Sequence, residues 1–235
     1  MLEVQVAAAK VGKWATRESG DTLEMVERPH GGLSFVLADG QHSGRAAKRI
    51  SNVVARKAIS LLAEGVRDGA VARAAHDYLY TYRGGKVSAT LNIVSVDLLT
   101  RTLVLSRNSP CPMLVVQPGE PLQVLDAPSR PVGIYRGTKP VITELPLEAG
   151  TTVVVYTDGL ETAGQRYGAP MDVVGALQAL LDRGADAQTI ADELLAQAVA
   201  LDRGRPADDI SVLVLQIVPR RSEDEARRLT VRLPL

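Results

Sequence analysis

Apolar residues recur along the chain with two different periods, and the places where the period changes divide it into blocks. Leu2, Val4 and Val6 alternate with polar neighbours, and after the Gly31-Gly32 turn signal Leu33, Phe35 and Leu37 alternate again. Up to Asp39 the chain therefore reads mostly as strand. The period then lengthens: Ile50, Val53, Val54, Leu61 and Leu62 share one helical face. Val71, Ala74, Ala75, Tyr78, Leu79 and Tyr82 follow at i, i+3, i+4, i+7, i+8 and i+11, which predicts a second helix.

Strand signals return from Ala89 to about Tyr156, at 91–96, 102–107, 113–116, 122–125, 141–145 and 151–156. Two helices are predicted at 170–181 and 186–201, the second with Asp186 as N-cap. Residues 210–218 are apolar on both faces, the pattern of a strand buried from both sides. The charge run RRSEDEARR reads as a solvated loop, followed by a short last strand at 229–233. Runs of strands and pairs of helices, without regular alternation, predict an α+β fold of antiparallel sheets with helices packed outside.

The 235 residues are 46% hydrophobic, enough for a sizeable core, and no Pro/Gly/Ser-rich stretch divides them. The expectation is one domain over 1–235, with residues 219–235 a C-terminal extension or edge strand. Lys+Arg and Asp+Glu number 27 each, and aromatics are 3% of residues. Neither the basic excess nor the stacking platforms of a nucleic-acid binder are present, so no nucleic-acid partner is expected. No apolar run approaches the length of a membrane helix, and the first residues lack the h-region of a signal peptide. Cys111 is the only cysteine, which suits a reducing, cytoplasmic compartment.

Candidate chemistry sits in acidic motifs at strand ends. Phe35 to Leu37 leads to Asp39-Gly40, Val153 to Tyr156 leads to Thr157-Asp158-Gly159, and Asp208-Asp209 opens the apolar strand at Ile210. A fourth is Gly20-Asp21-Thr22. A single Asp-Gly is commonly a plain turn. Several carboxylates brought to converging strand ends instead repel one another, and a hard cation with oxygen ligands relieves that repulsion. Each glycine lets the backbone turn sharply or a carbonyl approach closely.

Three of these segments carry a resemblance. Asp39-Gly40-Gln41-His42-Ser43-Gly44, then Val155-Tyr156-Thr157-Asp158-Gly159-Leu160-Glu161-Thr162, then Asp208-Asp209-Ile210-Ser211 resemble, in order, the signature segments of the metal-dependent PPM phosphatases, in their SpoIIE/RsbX/RsbU branch. Ser88-Ala89-Thr90-Leu91, Pro131-Val132-Gly133-Ile134 and Gly150-Thr151 fall where that branch has comparable segments. The likeness runs from about Gly12 to Val218.

The resemblance implies a four-layer αββα sandwich holding two Mn²⁺ or Mg²⁺ ions, and removal of phosphate from phosphoserine or phosphothreonine of a protein by a metal-activated water. Asp39 would bridge both ions, the Gly40 carbonyl would bind one, and Asp158 and Asp208 would complete the shell of the other. Asp209 would stand behind the ligands, and Asp21 would act through water. The absence of a leading sensor segment resembles the stand-alone RsbX type. By that analogy the substrate is a phosphorylated STAS-domain anti-anti-sigma or stressosome protein in a stress-response or sporulation switch. A non-catalytic phosphoprotein-binding module of the same fold, or a hydrolase of a small phosphate ester, are the alternatives.

Two departures from the family pattern stand out. His42 occupies a position that is glycine in Asp-Gly-x-Gly-x-Gly. It is either a proton donor to the leaving oxygen or a solvent-facing residue at the helix entry. The family's Asn-Ala-Gly-His-Pro turn reads Asn108-Ser109-Pro110-Cys111-Pro112 here. Cys111 has no role in this chemistry. His30 and His76 carry no expected role, and Lys13 and Arg17 read as exposed strand charges.

Overall fold

The computed structural model describes residues 1–221 and 225–233. The chain runs through β1 (Leu2–Val11), β2 (Asp21–Glu27), β3 (Leu33–Gly40), α1 (Gly44–Ala63) and α2 (Asp68–Arg83). It continues as β4 (Ala89–Asp97), β5 (Thr102–Asn108), β6 (Met113–Val116), β7 (Gln123–Leu125), β8 (Val141–Pro146) and β9 (Thr152–Tyr156). The last elements are α3 (Asp158–Thr162), α4 (Val173–Asp182), α5 (Ala187–Leu201) and β10 (Ile210–Pro219).

The strands form two five-stranded sheets, ordered β1-β10-β9-β6-β7 and β2-β3-β4-β5-β8, and every ladder is antiparallel. Side-chain alternation then builds the layers. Along β3, Val36 and Ala38 pack with Val54, Leu62, Val71 and Leu79 of α1 and α2. Their neighbours Phe35 and Leu37 face the other sheet, joining Val94, Leu103, Met113, Val155 and Leu213. Along β10, Val212 and Val214 pack under Leu177, Ile190 and Leu194 of α4 and α5, while Leu213, Leu215 and Ile217 point between the sheets. The result is an αββα sandwich, and it explains why 210–218 is apolar on both faces.

Local signals account for most boundaries. Asp186 caps α5, its Oδ1 accepting from the Thr189 N–H at 2.8 Å. Gly84 ends α2 in the left-handed conformation at φ 60°. Helix α4 begins at Val173, three residues after the expected start, because Asp172 accepts from the Gly175 N–H and caps it there. The five-residue α3 has no counterpart in the sequence pattern, being too short to show a period.

Two expectations need correction. Residues 229–233 form no strand: Leu229, Val231 and Leu233 are exposed. Alternation makes a strand only where an edge offers its open N–H and C=O groups. Here the segment is instead tethered by Arg227, which donates to Glu27 Oε1 at 3.0 Å and to the Gly31 carbonyl at 3.2 Å. Of the charge run before it, residues 222–224 lie outside the described residues. Lys13 and Arg17 sit in a loop after β1 rather than on a strand.

Candidate active site

Both sheets end at one place. In the second sheet Asp21 opens β2, Asp39 is the last residue but one of β3, and the register pairs them directly. In the first sheet Val11 pairs with Ile210, and Tyr156 pairs with Val212. Asp158, just after β9, and Asp208-Asp209, just before β10, therefore leave the same edge.

Asp21 is fully buried. Its Oδ2 accepts from the Ser211 hydroxyl at 2.6 Å and from the Thr157 hydroxyl at 3.0 Å. Ser211 lies in β10 of the other sheet and Thr157 directly follows β9 of that sheet, so this carboxylate pins the two layers together. Its Oδ1 is buried and no donor reaches it. The Lys10 and Lys48 ammonium groups both donate to the Asp21 carbonyl, each at 2.6 Å. Burial pushes the Asp21 carboxyl above its ordinary pKa, against the opposing pull of Ser211, Lys10 and Thr157.

Asp39 is shifted further. Burial, and then the negative charges of Asp21, Asp158 and Asp208, raise it to about 9. Asp158 stands at the exposed rim, where partial loss of water and then the charges of Asp208 and Asp21 raise its pKa. Asp208 is half-buried, and its Oδ1 accepts from the Asp209 N–H at 2.9 Å. Asp39, Asp158, Asp208 and Asp21 thus converge from four distant stretches of chain.

Asp209 does something different. Its oxygens accept from the Lys13 N–H at 2.9 Å and the Gly20 N–H at 2.8 Å. That strap ties the loop after β1 against the approach to β10. Asp202 is a second strap: its Oδ1 accepts from the Gly164 N–H at 3.0 Å and its Oδ2 from the Ala207 N–H at 2.6 Å. It couples the loop after Asp158 to the loop before Asp208.

The glycines after the two aspartates matter by close approach. A Cβ on Gly40 would lie 2.0 Å from the Ala47 carbonyl oxygen, and one on Gly159 would lie 2.1 Å from that of Asp209. Neither has positive φ, so the sharp-turn reading gives way to packing. His42, by contrast, is exposed and holds φ 76°, a left-handed conformation that glycine adopts freely. Cys111 is buried, and burial followed by the charges of Glu161 and Asp158 pushes its thiol up to about 12. It is an inert thiol.

Sequence reading missed Thr157, Ser211, Asp202 and His76. Thr157 and Ser211 lie inside the quoted motifs, but nothing local marks a hydroxyl whose partner is in another sheet. His76 is buried, and its Nδ1 accepts from the Gly133 N–H at 2.9 Å, holding the 131–134 turn on α2.

The donor chemistry suits a hard divalent cation: crowded carboxylates, two with raised pKa beside Asp21, and the buried Asp21 Oδ1 open to an ion or its water. Among the described residues no group of three or more His, Cys, Asp or Glu side chains is arranged to hold a metal ion as it stands. An ion held by one or two carboxylates and several waters, as Mg²⁺ commonly is, needs no such group.

The family model for stage II sporulation protein E (SpoIIE) matches residues 29–218. The chain belongs to the SpoIIE family. It is 22% identical over 214 residues to stage II sporulation protein E of Bacillus subtilis (strain 168), covering 91% of this chain and 26% of that protein. The chain thus spans about a quarter of the relative it matches. The phosphatase domain of SpoIIE from Bacillus subtilis, solved with a fragment of its regulatory domain, superposes with a TM-score of 0.78 at 20% identity. That match covers 94% of this chain and 65% of the other. The catalytic domain of the serine/threonine phosphatase PstP, in complex with two manganese ions, gives 0.64 at 18% identity, covering 93% and 100%. At these identities the likeness establishes the fold: this SpoIIE-family chain has the PPM serine/threonine phosphatase architecture expected from its motifs. Among its described residues no helix is long and apolar enough to cross a membrane.

Proposed function

We propose that this SpoIIE-family chain is a divalent-metal-dependent protein phosphatase acting on phosphoserine or phosphothreonine. The observation that carries the reading is the meeting of Asp39, Asp158, Asp208 and Asp21 at the shared end of both sheets, with Asp39 raised to about 9. Asp39 and the Gly40 carbonyl, with Asp158 and Asp208, would hold two Mn²⁺ or Mg²⁺ ions, and Asp21 would act through water. Bound ions would supply a water of lowered pKa and neutralise charge growing on the phosphoryl oxygens.

The chain's own groups do the positioning. Thr157 and Ser211 fix the Asp21 carboxylate. Asp209 holds the Gly20 N–H, and with it the backbone next to Asp21. Gly40 and Gly159 let the helix-entry and strand-entry backbones close on the site. No covalent enzyme intermediate is needed, and the Cys111 thiol is too poor an acid to serve as a nucleophile.

The substrate class follows from the SpoIIE resemblance: a phosphorylated STAS-domain regulator in a bacterial partner switch, met in the cytoplasm. The whole 1–235 stretch acts as one domain in this reading. Phosphate release from a phosphoserine protein should need Mn²⁺ or Mg²⁺, stop on chelation and be lost in Asp39→Ala. Turnover that persists in chelator would sink the reading.

A further inference from the structure

Beside the carboxylate pit lies a surface of opposite charge. The Trp14 side chain is exposed (58%), and its backbone N–H donates to the Pro206 carbonyl at 2.9 Å. The Arg205 guanidinium lies 5.4 Å from the Trp14 ring centre. Arg203 and Arg166 cover the exposed Tyr167 ring at 4.0 and 5.0 Å. Arg166 also donates to the carbonyls of Asp202 and Arg205, knitting the two loops together. These loops lead into Asp208 and away from Asp158, so the surface and the pit share an edge.

Four features point to a ligand. The carboxylate beside Arg166, Asp202, is buried, lies 3.6 Å from it, and already accepts from Gly164 and Ala207. Among the described residues Arg203 and Arg205 have no ion-pair partner. The aromatic faces hold the guanidinium groups in place, which lowers the entropy lost on binding. Arg203 and Ala15 hold φ 54° and 63°, conformations that cost energy at an ordinary surface. In a chain of zero net charge, arginines are thus gathered on one rim.

We propose that Trp14, Arg166, Tyr167, Arg203 and Arg205 form a docking surface for an acidic segment flanking the phosphorylated residue of the protein substrate. Planar guanidinium groups grip carboxylates in pairs, and the segment would lead its phosphorylated residue over the edge into the pit. The inference rests on the phosphatase reading for its function, but its binding step can be measured apart from turnover.

Trp14 is the sole tryptophan, so its emission reports on the patch. Titrating the full chain with an unphosphorylated Asp/Glu-rich peptide should give a saturable change that high salt removes, whereas a neutral peptide of equal length gives none. No saturable change, or the same change with inorganic phosphate alone, overturns the proposal. In turnover with Mn²⁺, a phosphoserine peptide flanked by acidic residues should exceed one flanked by neutral residues by about tenfold in kcat/KM, through KM. Arg203→Glu/Arg205→Glu should reverse the preference toward Lys-flanked peptide, an outcome that misfolding cannot produce. Equal turnover of all peptides refutes docking and leaves the phosphatase intact; loss of p-nitrophenyl phosphate turnover in the unmodified protein refutes the phosphatase instead.

Discussion

Asp21 and Asp39 are direct cross-strand partners at the last rung of the β2–β3 ladder, a pairing that places a buried and a half-buried carboxylate side by side. Like charges directly opposite one another destabilise a sheet. The Asp39 carboxyl answers by keeping its proton up to about 9. The fold therefore carries stored repulsion at this point, released by a proton or a cation.

The first consequence is a pH dependence of the metal-free protein. The folded Asp39 carboxyl binds its proton more tightly than the unfolded one, whose pKa is near 3.8. The resulting stabilisation is fully present below that ordinary value and is lost as pH rises toward about 9. In chelator, the urea midpoint attributable to this site should fall between pH 5 and pH 9. Saturating Mn²⁺ should flatten the fall. A midpoint that rises with pH in chelator and ignores Mn²⁺ contradicts the arrangement.

Asp39→Asn should separate stability from activity. At pH 8 the unfolded Asp39 is ionised and the folded one protonated, so folding must take up a proton; the amide needs none, and the metal-free variant should gain about 1–2 kcal/mol, or a few degrees in Tm. Mn²⁺-dependent phosphate release should vanish. Calorimetric melting with and without Mn²⁺ checks both halves, because the variant should also lose most of its metal-induced stabilisation.

Ser211→Ala tests the bridge between sheets. It removes the 2.6 Å donor to Asp21 Oδ2 and leaves that oxygen with Thr157 alone, while Oδ1 already lacks a donor. A buried acceptor stripped of a partner costs about 1–3 kcal/mol. Chemical denaturation should show that loss, and Mn²⁺ affinity should weaken as Asp21 gains freedom. Unchanged stability would mean that water replaces the hydroxyl.

His42→Gly decides between the two readings of that residue. His42 is exposed at φ 76° ahead of α1, and relieving a left-handed non-glycine residue is worth about 1 kcal/mol. The variant should melt higher and keep its kcat. A proton donor to the leaving group would instead show a loss of about a hundredfold or more, with the alkaline limb of the pH–rate profile altered.

These contacts also mark what the sequence could and could not show. The layers were legible because β10 is apolar on both faces and β3 alternates Phe35 and Leu37 with Val36 and Ala38. The meeting of the aspartates was legible because each motif sits at a strand end, and strand ends converge. Three kinds of feature were not. The five residues of α3 are shorter than any period can reveal. The alternation at 229–233 mimicked a strand because pattern records side chains and not the presence of a receptive edge. The roles of Thr157, Ser211 and Asp202 depend on partners 136, 190 and 38 residues away, a distance over which spacing carries no information.

His76 completes the picture on the outer side of the second sheet. Its Nδ1 must offer a lone pair to the Gly133 N–H, so the neutral ring carries its proton on Nε2. Burial lowers its pKa below 6.5, with Asp77 opposing. The unfolded chain takes up a proton near that value and the folded ring resists it. The contribution is present above pH 6.5 and lost as pH falls through and below it, opposite in sign to that of Asp39. His76→Asn keeps an acceptor without a titrating ring. With Mn²⁺ saturating the carboxylate site, the native protein should lose more stability than the variant between pH 7 and pH 5, read from urea midpoints. Parallel losses in the two proteins would show that His76 titrates freely and that the 131–134 turn is held by something else.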